Sequence, residues 1–277
     1  MSERAATEIR RVGGMPTLGL GTWENADPDQ CATSVATALE AGYRHVDTAQ
    51  IYENEAAVGE GIARADVDRE EIFLATKIWT RNLAPENVIE TAEASLDRLG
   101  VDAVDLLYVH WPAHAYEPTA TLDAFEDLLD RGLIDRIGVS NFTPEHVREA
   151  QAAIDAPIFA NQVEMHPYLP QRDLREFAAE TDLEIVAYSP LARGAVLDDP
   201  TITEIASAHD ASPAQVAIAW AREKGVTPIP KATSEAHIRD NLGALDLDLT
   251  PGDVAAIDGI DRRDRRVDPD FGPDAWE

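Results

Sequence analysis

Cysteine is almost absent from this chain of 277 residues, and Cys31 is its single example. One cysteine cannot form an intramolecular disulfide, so we expect a protein of a reducing compartment, the cytoplasm. No apolar run approaches the length that crosses a membrane, and residues 1–11 lack the apolar stretch of a secretion signal. The sequence therefore predicts neither a disulfide-stapled fold nor a membrane partner.

Lysine is also scarce, because arginine supplies all but Lys77, Lys224 and Lys231 of the 23 basic residues. Acidic residues number 52, which gives a formal net charge of −29. Such a surface repels nucleic acid, so we expect no nucleic-acid partner. The acids recur in every predicted helix, which favours a solvated acidic shell over a patch for a basic partner. This composition predicts a halophilic protein, since concentrated salt screens the repulsion.

What the chain does contain is a repeated alternation of short apolar runs with longer amphipathic segments. Helical spacing of apolar residues predicts helices over residues 28–41, 85–99, 119–129 and 144–153. The apolar runs are eight predicted strands, at residues 17–22, 43–47, 72–77, 104–110, 135–140, 158–162, 184–188 and 226–231.

Eight strands that alternate with helices predict an α/β fold, a (β/α)8 TIM barrel. An open, doubly wound sheet is the alternative. No linker or composition shift divides the chain, so we expect one domain over residues 1–277. Residues 7–16, with Gly13 and Gly14 at the turn, predict a β-hairpin before the barrel.

Each of the last seven runs ends in a polar residue that can take part in binding or catalysis. In a barrel, the carboxyl ends of all strands lie on one face, where active sites are found. One such residue would indicate only a strand that ends at the surface, but seven in register predict a functional site. They are Asp47, Lys77, His110, Ser140, Gln162, Tyr188 and Lys231.

The chemistry of these residues suits reduction of a carbonyl group. Tyr52 follows Asp47 by five residues, and an ammonium at Lys77 would lower a phenol pKa that is ordinarily about 10. Asp47 would keep Lys77 charged. A carbonyl that accepts hydride develops negative charge on oxygen, which Tyr52 as proton donor and His110 as hydrogen-bond donor would meet.

Other interpretations exist for these residues. Tyr52 could lie on the surface, Lys77 could be solvated, and His110 could be a core histidine or part of an Asp–His metal pair. No H-x-H or H-E-x-x-H motif and no cysteine cluster accompanies them, so we predict no metal. Residues 19–23 begin like a dinucleotide-binding G-x-G-x-x-G motif, but Glu24 stands at the third glycine position.

Six segments carry a resemblance to a known family. Over nearly its full length the chain resembles an aldo-keto reductase, and its short connections after strands four and seven are similar to those of prokaryotic diketogluconate reductases. The matching segments are GYRHVDTAQIYENEAAVGEGI (42–62), DLLYVHWP (105–112), GLIDRIGVSNF (132–142), NQVEMHPYLPQ (161–171), VAYSPLARG (186–194) and IPKATSEAHIRDNL (229–242).

The resemblance implies a monomeric enzyme that reduces aldehydes or ketones to alcohols with a nicotinamide cofactor. It assigns catalysis to Asp47, Tyr52, Lys77 and His110. It implies that Trp23, Trp79 and Trp111 line the substrate pocket, although core packing is the alternative for tryptophan. It implies that the cofactor contacts Ser140, Asn141 and Gln162 at the carboxamide, Tyr188 at the ring, Ser189, Leu191 and Gly194 at the pyrophosphate, and Lys231, Thr233, His237, Asp240 and Asn241 at the adenosine.

Two positions depart from the family's NADPH-selective pattern. Ala232 stands where serine is common, and His237 stands where arginine is common. Arginine makes bidentate, permanently charged contacts with phosphate, whereas neutral histidine offers one donor. We therefore expect NADP(H) to be used and NAD(H) to be accepted as well. Two alternatives from other classes are a cofactor-binding regulatory subunit without turnover and a metal-dependent barrel lyase or isomerase.

Overall fold

The structure is a computed structural model that describes residues 9–273. It begins with the predicted hairpin, in which β1 (Arg11–Val12) pairs with β2 (Met15–Pro16). Gly13 and Gly14 both have positive φ, which glycine adopts without the strain that a side chain would cause. The predicted start of the hairpin at residues 7 and 8 lies outside the described residues.

Eight parallel strands follow, and each pairs with the next strand in the chain. Gly19 N–H donates to the Pro228 carbonyl at 3.0 Å and Gly21 N–H to the Pro230 carbonyl at 3.3 Å, so the first and last strands also join. The predicted (β/α)8 barrel is confirmed. The strands are β3 (Leu20–Gly21), β4 (His45–Asp47), β5 (Phe73–Ile78), β6 (Leu106–Val109), β7 (Ile137–Ser140), β8 (Ile158–Glu164), β9 (Glu184–Tyr188) and β10 (Thr227–Pro228).

Helices surround this barrel, and three of the four predicted ranges match the observed bounds. The helix predicted at residues 119–129 extends one residue further at each end. It begins at Pro118, because a residue in the first helical turn needs no N–H and proline is therefore tolerated there. The helices are α1 (Pro28–Ala41), α2 (Glu55–Arg64), α3 (Pro85–Leu99), α4 (Pro118–Asp130), α5 (Pro144–Ala153), α6 (Arg172–Thr181), α7 (Pro200–Ala208), α8 (Pro213–Glu223), α9 (Glu235–Leu242) and α10 (Pro251–Asp258).

Two apolar clusters hold these layers together. The larger one fills the space between strands and helices. The smaller one lies inside the barrel, where Met15 of the hairpin packs with Phe73 and Leu106, the first residues of β5 and β6. The hairpin therefore closes the amino-terminal end of the barrel and leaves the carboxyl end free for a site. None of the helices in residues 9–273 is long and apolar enough to cross a membrane.

Candidate active site

A cavity of about 530 Å³ opens at the carboxyl ends of the barrel strands. It collects most of the residues singled out in the sequence. Lys77 is fully buried beneath it, and Thr233, His237, Asp240 and Asn241 do not line it. The predicted residues that line it are Trp23, Asp47, Tyr52, Trp79, His110, Trp111, Ser140, Asn141, Gln162, Tyr188, Ser189, Leu191, Gly194 and Lys231.

A buried ion pair forms the floor of this cavity. The Lys77 ammonium donates to the Asp47 carboxylate, to the Thr48 carbonyl at 2.8 Å and to the Tyr52 hydroxyl at 3.5 Å. The second carboxylate oxygen of Asp47 accepts from Gln162 Nε2 at 2.7 Å. Burial raises the pKa of Asp47 and lowers that of Lys77, and the attraction between them opposes both shifts. The pair therefore fixes the ammonium beneath the Tyr52 hydroxyl.

The pKa of Tyr52 moves in the direction opposite to our expectation. Burial raises it well above its ordinary value, and the charges of Asp47 and Tyr188 add to the rise. The prediction that Lys77 lowers it was wrong, because the ammonium is already paired with Asp47 and water is largely excluded. Tyr52 therefore keeps its proton at neutral pH.

His110 lies beside this hydroxyl on the cavity wall. Its ring meets those of Tyr52 and Trp79 edge to face, with centroid separations of 5.9 and 5.3 Å. Burial lowers the pKa of His110 well below its usual value, and the positive charge of Lys77 lowers it further. The imidazole is consequently neutral at pH 7 and carries one N–H, so it can act as a hydrogen-bond donor without adding charge.

Polar side chains at the carboxyl ends of β7, β8 and β9 form a hydrogen-bonded group next to His110, the polar shelf, which consists of Ser140, Asn141, Gln162 and Tyr188. Asn141 has a left-handed backbone with φ of 64°, which asparagine tolerates better than most residues. Its Nδ2 donates to the His110 carbonyl at 3.0 Å, and its Oδ1 accepts from the Tyr188 hydroxyl at 2.9 Å. Ser140 Oγ donates to the Gln162 carbonyl at 2.8 Å. This shelf combines amide groups with an aromatic ring, which suits a flat heterocycle that bears a carboxamide.

The predicted adenosine end has a different character. Lys231 and His237 are exposed, and no ion pair involves either of them within residues 9–273. The Asp240 carboxylate instead accepts from Ser212 Oγ at 2.7 Å and from Gln215 Nε2 at 3.1 Å, which ties α9 to α8. The structure thus shows a packing role for Asp240, while Lys231 and His237 stand free for an anionic ligand.

Some cavity residues were missed by the sequence analysis. Val267, Pro269 and Phe271 enter the cavity from the chain beyond α10, and Phe271 packs edge to face on Trp79 and Trp111 at 6.0 and 5.5 Å. The segment that contains these three residues has the periodicity of neither a strand nor a helix. Phe271, an isolated aromatic residue in a polar segment, is the one signal that could have indicated a role in the cavity. Arg193 was also missed, and its guanidinium lies 4.5 Å from the Trp23 ring centre.

Residues 14–262 match the sequence model of the aldo/keto reductase family. The chain belongs to this family. It is 42% identical to a methylglyoxal reductase, DkgB, of Salmonella typhimurium over 95% of this chain and 99% of that protein. It is 40% identical to a 9,11-endoperoxide prostaglandin H2 reductase of Trypanosoma cruzi, over 92% of each. The resemblance predicted from the six segments is confirmed.

Solved structures agree with this assignment. A crystal structure of a provisionally assigned 2,5-diketo-D-gluconic acid reductase B superposes with a TM-score of 0.91 at 36% identity, covering 95% of this chain and 94% of that one. An aldo/keto reductase from Brucella melitensis gives a TM-score of 0.84 at 38% identity, with 89% and 95% covered. As a member of this family, the protein is a carbonyl-reducing oxidoreductase of small molecules, and the family generally uses NAD(P)H.

Proposed function

We propose that the protein reduces aldehydes and ketones to alcohols with NAD(P)H, with Tyr52 as general acid. The observation that carries this proposal is the convergence of the Tyr52 hydroxyl and the neutral His110 imidazole on one cavity, above the buried Lys77–Asp47 pair. Both groups are hydrogen-bond donors at neutral pH. A carbonyl oxygen bound between them would be polarised as its negative charge develops.

The bound nicotinamide would supply the hydride. Tyr52 donates its proton to the substrate oxygen, and the resulting phenolate lies 3.5 Å from the Lys77 ammonium, which stabilises it. Because its pKa is raised, Tyr52 keeps its proton until the arriving hydride makes the substrate oxygen basic enough to accept it. His110 orients the same oxygen, and Asp47 keeps Lys77 charged and in place.

The residues around the cavity fit the dinucleotide. Asn141 and Gln162 offer amide groups to the carboxamide, Ser140 adds a hydroxyl, and Tyr188 offers its ring face. Ser189, Leu191 and Gly194 also line the cavity and would contact the pyrophosphate, and exposed Lys231 lines it as well and would meet the adenosine phosphate. With Thr233 and Asn241, Lys231 and His237 would contact the adenosine. Because these contacts lack an arginine, NADP(H) is preferred only modestly and NAD(H) is also used.

The cavity favours small carbonyl substrates, because the carbonyl carbon has to pass a rim of aromatic side chains to reach Tyr52 and His110. Trp23, Trp79 and Trp111 form that rim, and Phe271 adds a fourth aromatic ring to it. Because a relative 42% identical is a methylglyoxal reductase, we select methylglyoxal as the first substrate to test. The protein acts as a monomeric, single-domain enzyme of the cytoplasm in this proposal, and size-exclusion chromatography with light scattering would test the monomer.

The deciding experiment follows NADPH and NADH consumption by the purified protein with methylglyoxal and a panel of aldehydes, keto sugars and keto acids, with and without EDTA. We expect turnover that EDTA does not reduce. Cofactor binding without turnover would instead support a regulatory subunit. Conversion without nicotinamide that EDTA abolishes would support a metal-dependent lyase or isomerase.

A further inference from the structure

Glu164 is a fully buried carboxylate that the proposed reaction does not use. It is the last residue of β8, two positions beyond Gln162, and its side chain has no exposed surface. Isolated buried carboxylates are costly, so this one requires partners. His166 Nε2 lies 2.8 Å from its Oε1, but the other contacts come from a distant part of the chain.

Those contacts come from two backbone N–H groups in residues 262–273, which we call the C-terminal segment. Arg266 N–H donates to Glu164 Oε1 and Val267 N–H donates to Oε2, both at 2.7 Å. An ionised carboxylate can accept at both oxygens, and hydrogen bonds to a charged acceptor are roughly twice as strong as neutral ones. The two successive amides are therefore held at a fixed point on the barrel rim.

Further contacts hold the segment on the side away from the cavity. Asp264 N–H donates to the Tyr168 carbonyl at 3.2 Å, and the Arg262 guanidinium lies 4.3 Å from the Tyr168 ring centre. On the cavity side the segment continues from Val267 to Phe271, whose ring contacts Trp79 and Trp111. Glu164 is thus the last tether before the chain enters the cavity.

We propose that Glu164 is a positioning residue for substrate selection: it holds the C-terminal segment so that Phe271 completes the aromatic wall of the cavity. This inference rests on the proposed function, since it concerns which carbonyl compounds the same site accepts. Bulky aromatic aldehydes depend on contact with Phe271, whereas methylglyoxal is too small to fill the space up to that wall.

Glu164→Gln tests the proposal with almost no change in volume. An amide has one acceptor oxygen, and its NH2 would face a backbone N–H, so one of the two contacts must open. The matched control is Glu126→Gln on α4, because Glu126 Oε1 also accepts from two successive amides, those of Asp155 and Ala156, at 3.0 and 2.8 Å. That pair lies outside the cavity lining.

The kinetic readout is the ratio of kcat/KM for 4-nitrobenzaldehyde to kcat/KM for methylglyoxal. We expect E164Q to lower it roughly tenfold, in the range of one lost apolar contact to a transition state. F271A should lower it similarly, and E164Q/F271A should be no worse than F271A. E126Q should leave the ratio unchanged. An unchanged ratio in E164Q, or fully additive effects in the double variant, would overturn the proposal.

A second readout does not need turnover. Hydrogen–deuterium exchange of the free protein should show residues 262–271 exchanging at least about tenfold faster in E164Q, and at the wild-type rate in E126Q. Unchanged protection in a folded E164Q protein would contradict the tether. If no carbonyl compound is reduced by the wild type, the proposed function fails, while the exchange result still decides whether Glu164 holds the segment.

Discussion

The two ends of the proposed cofactor cleft are built in different ways. At the reaction end, Lys77 and Asp47 are no more than 1% exposed and are linked through Gln162 to the polar shelf. At the adenosine end, Lys231 and His237 are exposed side chains without an ion pair in the described part of the chain. The reaction end is therefore preorganised by the fold, whereas the proposed adenosine end presents side chains that no ion pair holds in place.

The largest expected effect is the loss of stability when a buried charge is removed, compared with the loss when an exposed charge is removed. Lys77→Met leaves the Asp47 carboxylate buried without its ammonium, which should lower the free energy of unfolding by about 3–5 kcal/mol. The control is Arg239→Met, which removes an exposed partner of Glu235 on α9 and should cost about 0.5 kcal/mol or less. Urea unfolding in high salt measures both. Similar values for the two variants would show that burial of the pair adds nothing.

Tyr52→Phe tests the reaction end by chemistry. The variant keeps the ring and removes the proton, so we expect turnover to fall by roughly 10²-fold or more, within the usual range for acid–base catalysis. The dissociation constant of NADPH, measured by fluorescence quenching, should change little, because in the proposed mechanism Tyr52 contacts the substrate oxygen and not the phosphates. Near-normal turnover would remove Tyr52 from the mechanism.

The contrast between the two ends also explains what the sequence could predict. Asp47, Lys77, His110 and Gln162 each occur at or near the end of an apolar run, and a barrel places all such ends on one face. Phe271 has no such signal, since the segment that carries it is bound through Arg266 and Val267 to Glu164, about 100 residues earlier in the chain. The pKa of Tyr52 likewise depends on how much water the folded walls exclude, which spacing does not reveal.

His237→Arg sharpens the comparison at the adenosine end. A guanidinium near the 2′-phosphate should raise the preference for NADPH over NADH by about 1–2 kcal/mol, or roughly 5–30-fold, as expected for a charged hydrogen bond. Ala236→Arg adds the same charge one exposed position away on α9 and should change the preference much less. Equal effects of both variants would indicate a general field, and no effect of either would place His237 away from the phosphate.

Salt should act mainly on the acidic helical shell. With a net charge of −29, the surface repels itself and the anionic cofactor when the Debye length is long, about 30 Å at 0.01 M salt. At molar KCl this length is about 3 Å, and we expect stability to rise by about 1 kcal/mol, or roughly 2–4 °C in Tm, with activity rising as well. Melts and rates across a KCl series test this. Equal stability and activity in dilute buffer would refute the halophilic interpretation.

The smallest expected effect is that of pH on kcat/KM, which should show almost no step near neutral pH. Burial and the charge of Lys77 lower the pKa of His110, so its neutral form persists below the pH at which an ordinary histidine, with a pKa of about 6.5, becomes charged. Tyr52 keeps its proton over the same range because its pKa is raised. We therefore expect kcat/KM to vary by less than about twofold between pH 5.5 and 8 at saturating cofactor. A step near pH 6.5 that disappears in His110→Asn would show that the imidazole titrates in the enzyme–cofactor complex, and would give His110 a charged form that burial opposes.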